Sequence, residues 1–473
     1  MSSAVAPEMM TGAILGKRSP SGPHSHATKR LQTSHADPLS STPTSQVLWT
    51  WSPTQHTKTN TALLTCLTVG HVVDPQSTHI VLATHTNQLL VLDATGQLHT
   101  TLDTSQDAIQ CLGAAPVSRL PSPTVTIHRR RSKSSKRQQT RGSSQGSKSV
   151  EHEPSEEGTV RTNGLGPCLD EVIVGDSRGT LAVYTNFHLL THKELGTSPI
   201  TTVGFMPPFW PTTPQAHLTL NPTHQILLGD QSGTLTCTSA QQMNWRLAFT
   251  QLTQRLLSQE PTPGLMSSLS GLGNSISAHS PVRCILPVLW ALPDGSTAPY
   301  CFVITDQTLV YVLSHQTLVT IIHLPCQPRS LAKGHFCLPF QAPAQSQDSP
   351  NSSLRDSSAD QVLVGCEDGS VYQITNQLTL SLLFVCDYSL TQLAVYRPRK
   401  PQSPTAKAEE PDWIICIGHC NQLFVYRAQQ CLLCIPLDDW ASEMAVYDID
   451  DDGQQEIIIL EGTQSVKVLR ILP

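Results

Sequence analysis

The residues best placed to bind a cation form one acidic segment near the end of the chain, DIDDDGQQE over residues 448–456. Its carboxylates alternate and a glycine follows them, which is the spacing of loops that hold Ca²⁺ with oxygen ligands. An EF-hand is excluded, because its twelfth position would be Ile459, where a bidentate glutamate is required. A metal site, a catalytic carboxylate cluster and a turn between two strands remain as interpretations. The apolar run IIIL that follows at once favours the turn.

A second candidate is a group of cysteines with a histidine beside them: Cys416, His419, Cys420, Cys431 and Cys434. Zinc sites often use such thiols, in pairs separated by a turn. Cys431 and Cys434 lie instead within the strand-like CLLC, where alternation of side chains predicts that they point to opposite faces. We therefore expect this group to pack in the core, where a free cysteine behaves as a small apolar side chain.

Two basic segments could bind a partner. HRRRSKSSKRQQTR, residues 128–141, could attract nucleic acid, anionic lipid or an acidic protein. It has no interleaved aromatic residue to stack bases, and EHEPSEE over 151–157 partly neutralises it, so nucleic acid is not the expected partner and a solvated loop is the alternative. The side chains of this basic interaction loop are Arg129, Arg130, Arg131, Lys133, Lys136 and Arg137.

The other basic segment, KRSPSGPHSHATKR, has the layout of a bipartite nuclear import signal. Two basic pairs, Lys17–Arg18 and Lys29–Arg30, are separated by ten residues. The alternative is a chance pair of basic dipeptides in a disordered tail.

Enzyme motifs are absent from the sequence: it has no G-x-S-x-G elbow, P-loop or H-E-x-x-H. The D-x-x-G segments at Asp176–Gly179 and Asp230–Gly233 resemble sialidase Asp-boxes, and LDATGQLHTTLD (92–103) resembles a repeat of quinone-dependent dehydrogenases. Each lacks the flanking residues of those motifs and is better interpreted as a hairpin turn. We expect no enzyme activity and no cofactor beyond weak Ca²⁺, with a hydrolase or lectin built from distant loops as an alternative.

The elements that carry these residues repeat one pattern, an apolar strand, a polar turn and a second strand, as in DEVIVGDSRGTLAVYTN. The first strand is almost continuously apolar, as in a strand buried on both faces, and the turn carries residues that tolerate a positive φ. Two more strand-like stretches follow most copies, so each unit has the content of one propeller blade. The seven copies occupy residues 79–94, 170–186, 224–239, 300–314, 360–376, 413–428 and 456–472.

The predicted fold is an all-β, seven-bladed β-propeller with four-stranded blades, preceded by a disordered tail over 1–45 and occupying 46–473. The last unit lacks an outer strand, and VLWTW at 47–51 stands alone, so pairing the two would close the ring. A charged insertion over 115–168 is expected to be disordered. It shares one place in the repeat, between the innermost strand and the next, with 207–223, 339–359 and 398–411, whereas 253–281 lies between blades. Two β-sandwich domains are the alternative, but the strands of a sandwich are not expected to repeat one hairpin pattern seven times.

Composition sets the class of protein. The chain has 473 residues, of which 38% are hydrophobic and 14% charged, with a net charge of −6, which argues against a nucleic-acid footprint over the whole domain. No run of about 18 apolar residues predicts a membrane span. The N-terminus shows no secretory leader, so the 14 cysteines are expected to be free thiols in a reducing compartment.

The repeats resemble those of FG-GAP-type propellers such as integrin α subunits. The stretches that carry the resemblance are DEVIVGDSRGTLAVYTN, DQVLVGCEDGSVYQITNQLTLSLLF, WIICIGHCNQLFVYRAQQ and LLCIPLDDWASEMAVYDIDDDGQQEIIILEGTQSVKVLRI. Their layout is similar to that of the two KICSTOR propeller subunits, the integrin-alpha FG-GAP-repeat protein family and kaptin. The resemblance implies a non-enzymatic scaffold, cytoplasmic and associated with the lysosomal surface, that binds other protein subunits and restrains TOR signalling when nutrients are scarce. The alternative is a nuclear adaptor in a transcription, chromatin or ubiquitin-linked complex.

The resemblance also implies a ligand set for the acidic segment. With Glu456 as its ninth position the segment fits the FG-GAP spacing, and Ca²⁺ or Mg²⁺ would be bound by oxygens of Asp448, Asp450, Asp452 and Glu456. A structural turn without metal is the favoured alternative.

Overall fold

Seven four-stranded antiparallel sheets make up the described part of the chain. The computed structural model describes residues 43–53, 63–104, 106–118, 169–206, 224–258, 280–291, 297–336, 361–398, 411–462 and 464–472. Each sheet is one blade, and its strands are given from the innermost outward. Blades 1 to 4 are β2 (Leu64–Gly70), β3 (His79–Thr84), β4 (Gln88–Asp93), β5 (Leu98–Asp103); β6 (Ile109–Ala115), β7 (Glu171–Asp176), β8 (Thr180–Thr185), β9 (His188–Glu194); β10 (Ile200–Met206), β11 (Gln225–Asp230), β12 (Thr234–Thr238), β13 (Met243–Ala248); and β14 (Val282–Ala291), β15 (Thr297–Thr305), β16 (Leu309–Ser314), β17 (Thr317–His323). Blades 5 to 7 are β18 (Pro328–Gly334), β19 (Gln361–Cys366), β20 (Ser370–Ile374), β21 (Leu380–Val385); β22 (Leu390–Tyr396), β23 (Trp413–Gly418), β24 (Gln422–Arg427), β25 (Gln430–Pro436); and β26 (Ala441–Tyr447), β27 (Glu456–Glu461), β28 (Ser465–Leu472), with β1 (Thr44–Trp51) as its outer strand.

The blades form a closed ring. Each innermost strand packs beside the innermost strands of its two neighbouring blades, and β26 of blade 7 packs beside β2 of blade 1. The second strands are continuously buried, as in EVIVGD of β7 and EIIILE of β27, because each is covered by blades on both sides. Burying one Val, Leu or Ile in this way contributes roughly 1.5–3 kcal/mol. The prediction of a seven-bladed propeller is confirmed.

The N-terminal strand closes the ring, as predicted. β1 pairs antiparallel with β28, placing Thr44 opposite Leu472 and Trp51 opposite Val466. Trp51 is buried, and the Trp49 indole N–H donates to the carbonyl of Ala94 in blade 1 at 2.9 Å. β1 therefore completes blade 7 and also contacts blade 1. It begins at Thr44, two residues before the predicted domain start.

The long connections share one face of the ring. Because the strands alternate in direction, connections from a first to a second strand leave the face that also holds the start of β1 and the end of β28. We call this the insertion face. The predicted insertions leave it after Ala115, Met206, Gly334 and Tyr396, between the first and second strands of blades 2, 3, 5 and 6. The opposite face, here the turn face, carries the tight turns between second and third strands. The tail over 1–45 and the insertion over 115–168 lie mostly outside the described residues.

One helix departs from the expected absence of helices. α1 (Phe249–Ser258) follows β13, where the sequence predicted only a polar insertion. Phe249 packs against Tyr311 of blade 4 with ring centroids 4.4 Å apart. Thr253, one turn later, lies with its hydroxyl 3.3 Å from that of the same tyrosine. The three-residue spacing of Phe249 and Leu252 suits a helix with one apolar face. A helix of three turns is too short to be recognised in the sequence among so many strands.

The innermost strands are joined to one another by side chains. An innermost strand is a sheet edge with free backbone groups. In every blade its ladder carries a bulge around its second residue. In blades 5 and 6 the third residue reaches the next blade: the Ser330 hydroxyl accepts from Leu393 N at 3.0 Å, and Gln392 bonds both backbone groups of Met444, at 2.8 and 2.9 Å. These side chains thus pair backbone groups of the neighbouring inner edge without an additional strand.

The same bond at the closing seam is made by a carboxyl group. Glu443 of blade 7 accepts from Leu67 N of blade 1. Burial raises the pKa of Glu443 to about 7, although the Leu67 hydrogen bond acts in the opposite direction. The folded protein therefore binds a proton here that an unfolded glutamate has already released. Glu443 is expected to make stability fall as pH rises from 4.5, the ordinary pKa of a glutamate, to about 7, and to have no further effect at higher pH.

Replacing Glu443 by glutamine should remove this pH dependence. An amide oxygen can accept the Leu67 N–H, as Gln392 does one blade earlier, without a charge to bury. At about 1.4 kcal/mol per pKa unit, Glu443→Gln is expected to be roughly 3 kcal/mol more stable than the wild type at pH 8 and equal to it near pH 4.5. Denaturant unfolding at pH 5, 6, 7 and 8 measures the difference. Glu194→Gln on the exposed face of β9 is the control, and equal pH profiles for all three proteins would contradict the prediction.

Candidate functional site

The acidic segment forms the turn between β26 and β27 on the insertion face. Asp448 organises it, since its carboxylate accepts from Asp452 N at 3.2 Å and Gly453 N at 2.8 Å. Asp451 and Gly453 have positive φ values of 57° and 82°, which aspartate tolerates and glycine favours. Glu456 begins β27 fully buried and accepts from Ile449 N at 3.0 Å. Backbone donors thus already occupy part of the carboxylate capacity.

An arginine from the neighbouring strand supplies a positive charge to this segment. Arg470 lies directly opposite Glu456 in the β27–β28 ladder. Its guanidinium contacts Glu456 at 2.5 Å, Asp450 at 2.7 Å and Asp452 at 3.1 Å, with 17% of the side chain exposed. Burial opposes the charged form of Arg470, but its hydrogen bonds and charge attraction with Asp450 and Glu456 raise its pKa above the usual value. Burial raises the pKa of Glu456, against the hydrogen bonds from Ile449 and Arg470.

The predicted ligands come together in part. One oxygen each from Asp448, Asp450 and Glu456 lies within 4.8 Å of the others, whereas the carboxylate of Asp452 contacts Arg470 and is not part of this group. This is a ligand set for a hard cation such as Ca²⁺. The guanidinium already supplies one positive charge to Asp450 and Glu456 and would have to be displaced. Arg470 was not predicted from the sequence. It lies 14 residues after Glu456, and the register of the β27–β28 hairpin is needed to pair the two residues.

The cysteine group differs from its prediction. Cys416 is fully buried, as expected, but Cys431 and Cys434 are exposed. They also share one face of blade 6, because Cys431 lies opposite Tyr426 and Cys434 opposite Phe424, two residues apart on β24. A bulge in β25 adds one residue between them and reverses the alternation that the sequence predicted. The prediction that they point to opposite faces is wrong.

The D-x-x-G segments are turns, as interpreted from the sequence. Asp176 accepts from Arg178 N at 2.9 Å and from Thr180 N at 2.7 Å. Asp230 accepts in the same way from Ser232 N and Thr234 N, both at 2.9 Å. In LDATGQL, the Asp93 carboxylate accepts from Thr95 N and Gln97 N, both at 2.9 Å. These carboxylates are therefore already engaged in shaping hairpins.

The basic segments fall outside the described residues. This holds for the basic interaction loop, Arg129 to Arg137, and for the import-like pairs Lys17–Arg18 and Lys29–Arg30, whose roles stay predictions. Within the described ranges, the helical structure includes nothing of the length and apolar character that a bilayer crossing requires.

Comparison with known proteins shows that this chain is similar in fold to solved structures. No protein-family model and no curated protein sequence matches the chain. The crystal structure of BBS1N in complex with ARL6DN is similar in its mercury-soaked form (TM-score 0.52, 9% identity, 87% of this chain and 92% of that chain) and its lead-soaked form (TM-score 0.54, 11% identity, 87% and 93%). Saccharomyces cerevisiae Sqt1 aligns with a TM-score of 0.49 at 9% identity over 90% and 98%. The similarity to BBS1N spans nearly the whole ring, and with the seven sheets and their closure it identifies this chain as a seven-bladed β-propeller.

Proposed function

We propose that this propeller is a non-enzymatic scaffold that binds other proteins. The observation that carries the proposal is the arrangement of the connections: four long ones leave the insertion face, and the long blade 3–4 connection with α1 leaves the turn face beside the tight turns. A rigid ring presenting long loops on one side offers several separate binding surfaces. In BBS1N, a chain of the same fold is found in complex with a protein, ARL6DN, which supports the same use here.

The outer strands of blades 5 and 6 provide a further surface suited to a protein. LSLLFV of β21 and QCLLCIP of β25 carry no charged residue. Leu382 and Val385 are more than half exposed, and a bulge places both on one face of β21. Exposed apolar side chains on a strand at the edge of a sheet are usually either protected by charge or covered by a partner.

The specific scaffold we propose is a KICSTOR-like subunit at the lysosomal surface, acting in the nutrient-dependent restraint of TOR signalling. Its support is the resemblance of DQVLVGCEDGSVYQITN and the acidic segment to FG-GAP-type repeats. A cytoplasmic location follows from this proposal. Nuclear location, dependent on Lys17, Arg18, Lys29 and Arg30, is the outcome that would favour an adaptor of nuclear complexes instead.

Affinity purification of the tagged full-length chain with mass spectrometry tests the proposal. We expect stable protein partners, including other KICSTOR subunits, and lysosome-associated puncta in cells. Leu382→Glu with Val385→Glu is expected to reduce recovery of a partner that covers blade 5 at least tenfold, whereas Leu189→Glu on the exposed outer strand of blade 2 should not. No stoichiometric partner would overturn the scaffold, and partners without GTPase-regulating or KICSTOR subunits would overturn the specific role alone.

A further inference from the structure

Two cysteines and an aspartate converge on the turn face of blade 5. Cys366 ends β19, Asp368 lies in the turn to β20, and Cys326 comes from the connection between blades 4 and 5. The two sulfur atoms and a carboxylate oxygen all lie within 4.8 Å of one another. The Cys326 thiol is within hydrogen-bonding reach of Cys366, Asp368 and the Tyr372 hydroxyl. Cys326 lies 40 positions before Cys366 in the sequence, so the cluster cannot be recognised from a spacing motif.

The backbone holds the cluster in place. Glu367 N donates to Gln327 O at 2.9 Å, which fixes the inter-blade connection against the turn beside Asp368. Gly369, with φ of 88°, closes the turn and donates to Cys366 O at 3.1 Å. Asp368 in turn accepts from Ser370 N and the Ser370 hydroxyl, both at 3.0 Å. The three ligand atoms are therefore positioned before any ion binds, which reduces the entropy cost of binding.

The charge balance of this cluster differs from that of the acidic segment. There, Arg470 already lies between the carboxylates. Here, Arg329 of β18 is engaged with Glu367 at 2.8 Å and with Asp306 at 3.9 Å, and the ion pairs found among the described residues do not include Asp368. Burial raises the pKa of both Cys366 and Cys326. The cluster offers soft ligands without an internal counter-charge.

We propose that Cys326, Cys366 and Asp368 bind one zinc ion, with a water molecule as fourth ligand. Zn–S bonds of about 2.3 Å and Zn–O bonds of about 2.0–2.2 Å place tetrahedral ligand atoms about 3.5–3.8 Å apart, which small side-chain rotations reach from the observed separations. Thiolate ligands select zinc over the hard cations Ca²⁺ and Mg²⁺. On binding, the two thiols release two protons to solvent and the carboxylate contributes the third negative charge.

The ion would connect two blades at the rim of the turn face. It would tie the blade 4–5 connection to the first turn of blade 5, while Cys366 stays buried in the core between those blades. Cys326 is partly exposed and Asp368 exposed, so the water position faces solvent. Zinc is thus expected to raise thermal stability and to leave one exchangeable coordination position on the surface.

Cobalt and zinc binding to the purified full-length chain test the proposal. After metal removal under reducing conditions, Co²⁺ should produce the near-ultraviolet thiolate-to-cobalt absorption band at one equivalent per chain, and Zn²⁺ should displace it and raise the unfolding temperature. Cys326→Ser should abolish the band, because it removes one of the two thiolate ligands. Cys326 lies outside the strands, so the substitution should leave the fold intact. Asp368→Asn should weaken binding at least tenfold while keeping the band at high Co²⁺.

The chain supplies matched controls. Cys386 and Cys416 form a neighbouring thiol pair outside the proposed cluster, so Cys386→Ser should leave the band unchanged. Cys431→Ser removes an exposed thiol and should also leave the band unchanged, which controls for adventitious binding of cobalt at the surface. Binding of equal strength and spectrum in wild type and Cys326→Ser would overturn the proposal. So would an intact mass two daltons lower in the unreduced protein with a linked Cys326–Cys366 peptide, since that outcome assigns the pair to a disulfide.

Discussion

Replacing Arg470 by methionine is expected to lower the free energy of unfolding by about 3 kcal/mol, near the low end of the range for breaking a buried ion pair. Methionine keeps the apolar stem but removes the charge shared by Glu456, Asp450 and Asp452. Fully buried Glu456 would then face two carboxylates without a counter-ion. Denaturant unfolding at pH 7.5 measures the loss. Arg178→Met is the control, because its partner Asp107 and its own side chain are exposed, and it should change stability by less than about 0.5 kcal/mol.

The same variant tests whether the acidic segment can bind metal. Wild-type thermal stability should not respond to millimolar Ca²⁺, since the Arg470 guanidinium already occupies the carboxylates of Asp450 and Glu456 that would bind the ion. Arg470→Met should gain a Ca²⁺-dependent rise in unfolding temperature, because Asp448, Asp450 and Glu456 remain close together and lack a cation. A Ca²⁺ response of the wild type would show that the arginine does not block the site. Equal stability of variant and wild type would show that the cluster needs no positive charge.

Deleting residues 1–53 is expected to prevent folding to a soluble monomer, whereas deleting 1–42 should leave the propeller intact. The longer deletion removes β1, so β28 becomes an open edge and blade 7 loses its outer strand. It also removes Trp51, whose truncation alone costs roughly 3–5 kcal/mol, and the contact of Trp49 with blade 1.

Soluble yield, size-exclusion elution and circular dichroism compare the two deletions. Trp51→Ala in the full chain provides a variant that keeps the strand, so its loss of stability can be measured by unfolding. A folded, monomeric 54–473 fragment would contradict the role of β1 in closing the ring. Trp49 packs closely on the Gly96 turn of blade 1, since an added Cβ there would lie 2.7 Å from its ring.

The sequence was sufficient for the fold because the repeat is local. A buried apolar strand, an aspartate–glycine turn and an alternating strand occur within about 17 residues, as at Asp170–Asn186, and each part has its own physical cause. The closure was also predictable, since one strand was missing at one end and one was unpaired at the other. The helix α1 was not, because ten residues carry too few turns to outweigh the surrounding strands.

The sites were less predictable because they depend on register and on contacts between blades. Arg470 reaches Glu456 only because the β27–β28 ladder places them opposite each other. Cys431 and Cys434 share a face because of one bulge residue, which no alternation rule includes. Cys326, Cys366 and Asp368 meet across two blades. The polar third residue of the innermost strand in blades 3, 5, 6 and 7, such as Gln392 or Glu443, was visible in the sequence, but its contact with the next blade emerges only when that blade lies beside it.

The pairing of β1 with β28 also determines how the ring responds to mechanical force. Thr44 and Leu472 are opposite each other at the same end of the pair. Tension applied through the segments that precede Thr44 and follow Leu472 therefore separates the hydrogen bonds one rung at a time, in a zipper geometry, rather than loading them all in shear. An unfoldase that engages the chain ahead of Thr44 would detach the closing strand first and open the ring at the seam held by Glu443. The strand that completes the propeller is thus also the first strand to which such a force is applied.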